Sequence, residues 1–386
     1  MRESFRQELL TNILPFWSRM VRGDGSFPGR TDIYGREDSS APISAVMAFR
    51  MLWMFSSVSR HLNDEHSGKI ADRLYGYVTR SFIDEVNGGV WWAISPEGYV
   101  LSDKKQSYAI GFAIYALSEY ALLRKSSEAE RQAMHLFCCL EEKAWDSDGY
   151  GYVEAQSADW SPLADVRLSD KDMNAVFTMN THLHILEPYT NLYLLTHDGR
   201  VAGAVGRLLD IFHSRIYCEE SGHLGSFFSS EWKRLDNEIS YGHDIEASWL
   251  VCEAADAIGT ADQVYYDMAD RLVMACEDGF RDDGSLVYRC ESGCWDEERH
   301  WWVQAEAVVG LMKMYRRSGD KRWLDKCCKA WEYIRGNIID SEGGEWYWSR
   351  LSDGSVNMNE DKAGFWKCPY HNGRMCVEML KELTNE

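Results

Sequence analysis

Asn87-Gly88-Gly89-Val90-Trp91-Trp92 is a glycine turn running into β-branched and aromatic residues, and the chain repeats that texture five more times. The counterparts are Gly23-Asp24-Gly25-Ser26-Phe27, Asp148-Gly149-Tyr150-Gly151-Tyr152, Gly222-His223-Leu224-Gly225-Ser226-Phe227, Asp283-Gly284-Ser285-Leu286-Val287-Tyr288 and Gly343-Gly344-Glu345-Trp346-Tyr347-Trp348. A recurrence at roughly 60 to 70 residues is the signature of an internal repeat. Between these stretches, apolar residues three and four apart mark helical segments at 5–20, 44–64, 68–82, 107–123, 127–143, 173–196, 200–216, 243–257, 261–278, 300–317, 320–336 and 371–384. Each repeat is therefore a helix pair with a short β-ribbon inserted in its long loop.

The connections after every second segment are short, as in Glu65-His66-Ser67, Arg124-Lys125-Ser126 and Thr196-His197-Asp198-Gly199, which is the mark of antiparallel helix hairpins. Strict alternation of short and long connections puts every long loop on one face. The expected architecture is all-α: twelve helices in an inner and an outer ring, an (α/α)6 barrel whose rim of loops shapes a cleft. The alternative is an open α-solenoid, because a sequence does not display closure.

Composition narrows the function. The chain has 386 residues, 45% hydrophobic and 13% aromatic, with 16 Trp and 20 Tyr, enough for a large core and a surplus of aromatic surface. Only 7 Pro are present and no Gly/Ser-rich linker interrupts the chain, so one catalytic unit over 1–386 is expected. A formal charge of −20 without a compensating basic stripe argues against nucleic acid and anionic membrane as partners. The beginning, Met1-Arg2-Glu3-Ser4-Phe5-Arg6-Gln7-Glu8, lacks the apolar stretch of a secretory signal, and the expected location is the cytoplasm. The 11 cysteines form no CxxC pair and read as reduced, buried small hydrophobes.

The polar outliers fall on the segments that follow long loops: Arg50, Tyr108, Asn180, His184, His243, Glu246, Trp302 and His371. In Trp366-Lys367-Cys368-Pro369-Tyr370-His371-Asn372-Gly373-Arg374 a histidine stands at a helix start, as a cap or as a proton-transfer group. His243 and Glu246 are three apart and share a helix face, as a surface ion pair or as an oriented acid/base. Two histidines in Asn180-Thr181-His182-Leu183-His184 point to different sides of a helix, so one of them is structural and His184 is preferred for the cleft. Arg50 is a charge inside an intensely apolar helix and needs an oxygen-rich partner. Trp302 and Trp366 offer flat faces to a sugar ring, against the alternative of simple core packing. No HExxH, Cys/His cluster, GxGxxG, GxxxxGK[ST] or GxSxG pattern asks for a metal, a nucleotide or a serine nucleophile, so no metal and no cofactor are expected. Two histidines on opposed helices fit removal of a proton next to a carbonyl and its return on the opposite face. A glycosidase would instead need two carboxylates, of which Glu246 and Glu306 are the available pair.

Five ordered segments add a family likeness: 49–56, 180–193, Tyr241-Gly242-His243-Asp244-Ile245-Glu246, Trp301-Trp302-Val303-Gln304-Ala305-Glu306, and 366–372. Through them the chain resembles the N-acylglucosamine 2-epimerase superfamily over nearly its whole length. The resemblance implies an (α/α)6 barrel that inverts carbon 2 of a reducing-end sugar through a cis-enediol, on a β-1,4-linked disaccharide such as cellobiose. A monosaccharide epimerase, a mannose/fructose isomerase, a barrel glycoside hydrolase and an inactive sugar-binding protein are the alternatives. It further implies His243 and His371 as the two acid/bases, Arg50 polarising the carbonyl and Glu246 orienting His243. Asn180 and His184 would hold hydroxyls, with Tyr108, Trp302 and Trp366 completing the sugar site of a monomer or weak homodimer. One departure is Tyr108-Ala109-Ile110-Gly111-Phe112, where family members usually show Tyr-Gly-Gln-Ala-Phe; the first long loop, at Pro28-Gly29-Arg30-Thr31, also matches poorly.

Overall fold

Five helices of one length carry the architecture. The computed structural model describes residues 1–383, and in it α2 (Ala45–Leu62), α4 (Ser107–Arg124), α6 (Met179–Thr196), α8 (Tyr241–Ile258) and α10 (Trp301–Ser318) each span 18 residues. That is roughly 27 Å of helix apiece. Each ends on a left-handed residue, Asn63, Lys125, His197, Gly259 or Gly319, which stops the helix and turns the chain. An Asp or Ser cap, Asp64, Ser126, Asp198, Asp262 or Asp320, then accepts a backbone N–H and starts the return helix. The return helices are α3 (Glu65–Phe82), α5 (Ser127–Cys139), α7 (Gly199–Ile211), α9 (Gln263–Ala275) and α11 (Lys321–Tyr333). The set is completed by α1, residues 2–20 with a π turn at Leu9–Ile13, and by α12 (His371–Glu382).

Closure is direct. The six helices α2, α4, α6, α8, α10 and α12 pack each against the next, and α12 also packs against α2, so the inner ring is complete and an open solenoid is excluded. The inner helices are buried nearly all round, as in α4, where residues 107–121 are buried throughout. The outer helices are one-sided. The buried apolar side chains form one cluster that runs from Phe5 to Leu383.

The β-structure departs from one ribbon per loop. Residues entering an inner helix pair with the next loop instead: Ile43↔Ile94, Gln106↔Ala155, Phe177↔Phe228, Ser240↔Arg289 and His300↔Ser349. Short local pairs, such as Trp145↔Tyr152 and Tyr217↔Leu224, account for the expected ribbons. The rim is thus laced from repeat to repeat, and the starts of α2, α4, α6, α8 and α10 are each pinned by the next loop. Two tryptophans reinforce this: the indole N–H groups of Trp160 and Trp232 donate to the carbonyls of Asn87 and Gly149 in the preceding glycine turns.

Several expected boundaries shift for local reasons. The segment read as helix from 173 begins at Met179, because Phe177 and Thr178 pair as a strand and Thr178 caps the helix through Thr181 N–H. The segment 127–143 is α-helical to Cys139 and closes with a π turn at Leu140–Ala144. The expected end of the last helix at 384 lies outside the described residues. Cys294 is exposed, against the expectation that the cysteines are buried. At the short-loop end, Glu119 receives Arg60 at 2.7 and 3.0 Å and Asn191 at 3.3 Å, while Lys313 bridges Glu253 and Glu378 at 3.1 and 3.4 Å. Among the described residues no helix is long and apolar enough to cross a membrane.

Candidate active site

Arg50 lies in the second turn of α2, buried among apolar sequence neighbours, so its charge has to be met inside the ring. Its guanidinium carbon lies 4.1 Å from the centroid of Phe112 and 4.3 Å from that of Tyr370. Nη2 donates to the Tyr108 hydroxyl at 2.7 Å, Nη1 reaches the Trp366 carbonyl oxygen at 3.5 Å, and Nε is buried without a partner. Aromatic faces hold the cation without neutralising it, which leaves it poised for an oxygen on a ligand.

The two histidines both pack against Trp302, whose ring centroid is 4.8 Å from His243 and 5.6 Å from His371. Gly242 makes this possible, because a side chain there would overlap the Trp302 ring. His371 is the first residue of α12, yet it does not cap it; Nδ1 bonds Glu306 at 2.8 Å. His243 Nδ1 meets the Ser240 hydroxyl at 2.7 Å. Among the described residues no hydrogen bond engages Nε2 of either ring. Burial, with a smaller push from His184, lowers the His243 pKa to about 3. Burial, followed by Arg50 and Arg374, holds His371 well below the usual histidine range. Both rings are therefore neutral at physiological pH, each with one imidazole nitrogen unengaged among the described residues.

Beneath His371 lies a buried ion cluster. Arg374, one turn along α12, binds Glu306 at 2.8 Å and also binds Glu187 and Glu246, while the Tyr370 hydroxyl donates to Glu187. Trp249 Nε1 donates to the second oxygen of Glu306 at 3.1 Å. Burial and the adjacent Glu306 raise the Glu246 pKa to about 7. Burial would raise Glu187 too, but Arg374 and His184 outweigh it and hold Glu187 down at about 2. Glu246, Glu306 and His371 bring their ligand atoms within 4.8 Å of one another, the arrangement nearest to a metal site among the described residues. Arg374 Nη2 bonds both carboxylates, so the cation between them is a guanidinium and the donor set fits an ion pair better than a metal. The same contact disposes Glu246 and Glu306 as joint anchors of one arginine rather than as an acid and a nucleophile facing a cleft.

One expected role is corrected. Glu246 does not orient His243: its carboxylate turns to Arg374 and lies 3.9 Å from both His184 Nε2 and His371 Nδ1, whereas Ser240 holds His243. The helix carries residues 243 and 246 on one face, but the barrel axis draws the longer side chain inward to the arginine. His182 is the structural histidine of its pair, with Nδ1 on the Thr178 carbonyl and Nε2 receiving the Tyr152 N–H. His184 is buried between Tyr108 and Phe112, at 5.0 and 5.1 Å between centroids. Asn180 keeps a buried Oδ1 without a partner. Trp366 walls the opening beside Trp92 and Tyr108. Sequence reasoning left Arg374, Glu187, Tyr370 and Ser240 without roles. For Arg374 the signal was present, since an arginine three residues after His371 shares its helix face.

The chain is 43% identical to a cellobiose 2-epimerase of Bacteroides fragilis over 99% of both chains. Its fold superposes on the structure of a cellobiose 2-epimerase from Bacillus thermoamylovorans with a TM-score of 0.96 at 36% identity, covering 99% of each chain. A D-mannose isomerase structure shares the fold at a TM-score of 0.83 and 20% identity, covering 99% of this chain and 96% of its own. The barrel and its relatives make this chain a carbohydrate epimerase, an isomerase. It belongs to the N-acylglucosamine 2-epimerase (GlcNAc 2-epimerase) family, which it matches over residues 26–373.

Proposed function

We propose that this enzyme reversibly inverts carbon 2 of the reducing-end glucose of a β-1,4-linked disaccharide such as cellobiose, giving the glucosyl-mannose epimer. The observation that carries the reading is the pair of neutral histidines packed against Trp302, each with Nδ1 occupied and Nε2 unengaged among the described residues. With the sugar ring opened, one histidine removes the carbon 2 proton. The C–H pair becomes the C1–C2 double bond, and the carbonyl pair moves onto oxygen 1 beside Arg50. The second histidine, first protonated at Nε2 by solvent, delivers that proton to the opposite face of carbon 2 and returns to neutral, the carbonyl reforms, and the first histidine releases its proton to solvent. Arg50 stabilises the oxyanion where charge develops, usually the largest catalytic term. His184 and Asn180 hold hydroxyls, and Trp302 and Trp366 pack on sugar rings.

A cavity of about 320 Å³ bounded by Trp92, Lys104, Arg167, Phe365 and Trp366 adjoins Trp366 and supports a disaccharide over a free monosaccharide. All eleven cysteines are unpaired, which supports a reducing cytoplasmic setting. The enzyme is proposed to act as a single catalytic unit, monomeric or weakly dimeric, on a small-molecule sugar. The test is incubation with cellobiose in deuterated water with a chelator, followed by NMR. Deuterium at carbon 2 of an epimeric product is the expected result. A ketose product would move the assignment to an aldose–ketose isomerase, and loss of activity with the chelator would overturn the metal-free chemistry.

A further inference from the structure

The sugar-facing helix α6 is broken in the middle. Pro188 lies inside it, and a proline has no N–H for the carbonyl four residues back and collides with that carbonyl. The residue four back is His184, whose φ of −89° and ψ of 15° depart from helical values. Its freed carbonyl turns toward α4, and there the facing residue is Gly111: a methyl group on Gly111 would overlap the His184 carbonyl oxygen and would sit 3.7 Å from Pro188 Cγ. The kink and the missing side chain are thus two halves of one fit. On the other side of the same residue, the His184 imidazole is turned between Tyr108 and Phe112, with Nδ1 3.4 Å from Glu187 and Nε2 3.9 Å from Glu246.

We infer that Pro188 and Gly111 are a positioning pair: the proline expels the His184 carbonyl, the glycine gives it room, and together they aim the His184 ring at the sugar. The inference rests on the proposed role of His184 as a hydroxyl contact. Neither residue touches the substrate; both act through the direction of one imidazole. A Pro188→Ala helix regains the N–H that the His184 carbonyl lacks, so the backbone straightens and the ring swings away.

The experiment compares the full-length Pro188→Ala, Gly111→Ala, Gly111→Ala/Pro188→Ala and His184→Ala proteins, reading kcat and KM for cellobiose epimerisation and the urea midpoint of unfolding. Pro188→Ala is expected to fold with an undiminished midpoint, because alanine suits a helix interior better than proline. Its KM should rise about fivefold, the loss of roughly one hydrogen bond, with a smaller change in kcat. Gly111→Ala should lower the midpoint, and the double variant should regain it while keeping the raised KM of Pro188→Ala. A Pro188→Ala enzyme with wild-type KM, alongside an impaired His184→Ala enzyme, overturns the inference alone. A double variant no more stable than Gly111→Ala also overturns it. Wild-type kinetics in His184→Ala removes the sugar-contact reading beneath it, and the inference with it.

Discussion

The two histidines packed against Trp302 look alike and are held differently. His371 Nδ1 faces a carboxylate, Glu306, at 2.8 Å; His243 Nδ1 faces a hydroxyl, Ser240, at 2.7 Å. Burial raises the Glu306 pKa while Arg374 and the Trp249 N–H oppose that rise; in its ionised form the carboxylate only accepts, fixing the proton on Nδ1 and leaving Nε2 as a base, whereas a hydroxyl donates or accepts and suits either tautomer. Glu306 is in turn fixed by Arg374 and Trp249, while Ser240 ends a three-residue strand paired to the next loop. His371 therefore draws on the buried cluster of the barrel axis, and His243 on the rim. The lesson is that one member of the pair has a set protonation pattern and the other an adaptable one.

The largest break in the comparison is removal of either ring. His371→Ala and His243→Ala are each expected to lower kcat for cellobiose epimerisation by about 10³- to 10⁴-fold, near the upper range of general acid–base catalysis, while circular dichroism stays native. A loss under tenfold in either variant would end the two-base scheme. Next comes the anchor on one side only. Arg374→Met strands three buried carboxylates, Glu187, Glu246 and Glu306, and should destabilise the fold by about 3–5 kcal/mol in urea titration. Glu306→Gln keeps the shape but replaces the acceptor-only group with an amide, which makes His371 resemble His243. A fall in kcat of roughly 100-fold is expected, and a fall of only a few-fold would mean that the carboxylate is not what sets His371 apart.

How far the sequence exposes this arrangement depends on whether an effect is local. The αL-then-cap turns at Asn63-Asp64, Lys125-Ser126 and His197-Asp198 are written in neighbouring residues, and so is the glycine-turn repeat; together they dictate a ring of hairpins. Arg50 is legible as a charge in an apolar helix, His371 as a histidine at a helix start, and His243 by its spacing from Glu246, all local patterns. Partner choice was not local. Glu246 lies three residues from His243, yet Arg374, 128 positions away, takes it. The pairing of Ser240 with Arg289 likewise belongs to two separate loops. Helical spacing says which residues share a face and not which side chain from across the barrel will meet them.

A pH experiment separates the cluster from the rim. Folded Glu246 keeps its proton up to about 7, while an unfolded glutamate releases it near roughly 4.3. The folded chain binds more protons in that interval, so Glu246 makes stability fall as pH rises through it. Glu187, held at about 2, works the other way: its contribution is present above roughly 4.3 and is lost as pH falls toward 2. Glu246→Gln should therefore shift the slope of thermal stability against pH in the positive direction between pH 5 and about 7, relative to the unsubstituted chain, measured by calorimetry. An unchanged slope would assign the ionisation elsewhere. His243, pushed to about 3 in the fold, titrates near roughly 6.5 when unfolded, so between those values it makes stability rise with pH, against Glu246; present in both proteins, it cancels from their comparison.

The smallest expected effect sharpens the comparison most. Ser240→Ala removes one neutral hydrogen bond from His243, worth about 1 kcal/mol, and should lower kcat about fivefold, well short of the loss in Glu306→Gln. The indole of Trp302, 4.8 Å from the ring, still limits where His243 can turn. If the rim histidine needs only an adaptable partner, Ser240→Thr, which keeps the hydroxyl, restores the rate in the same NMR assay. If Ser240→Ala instead matched Glu306→Gln, the hydroxyl would be setting one tautomer just as the carboxylate does, and the two halves of the site would be equivalent despite their different surroundings.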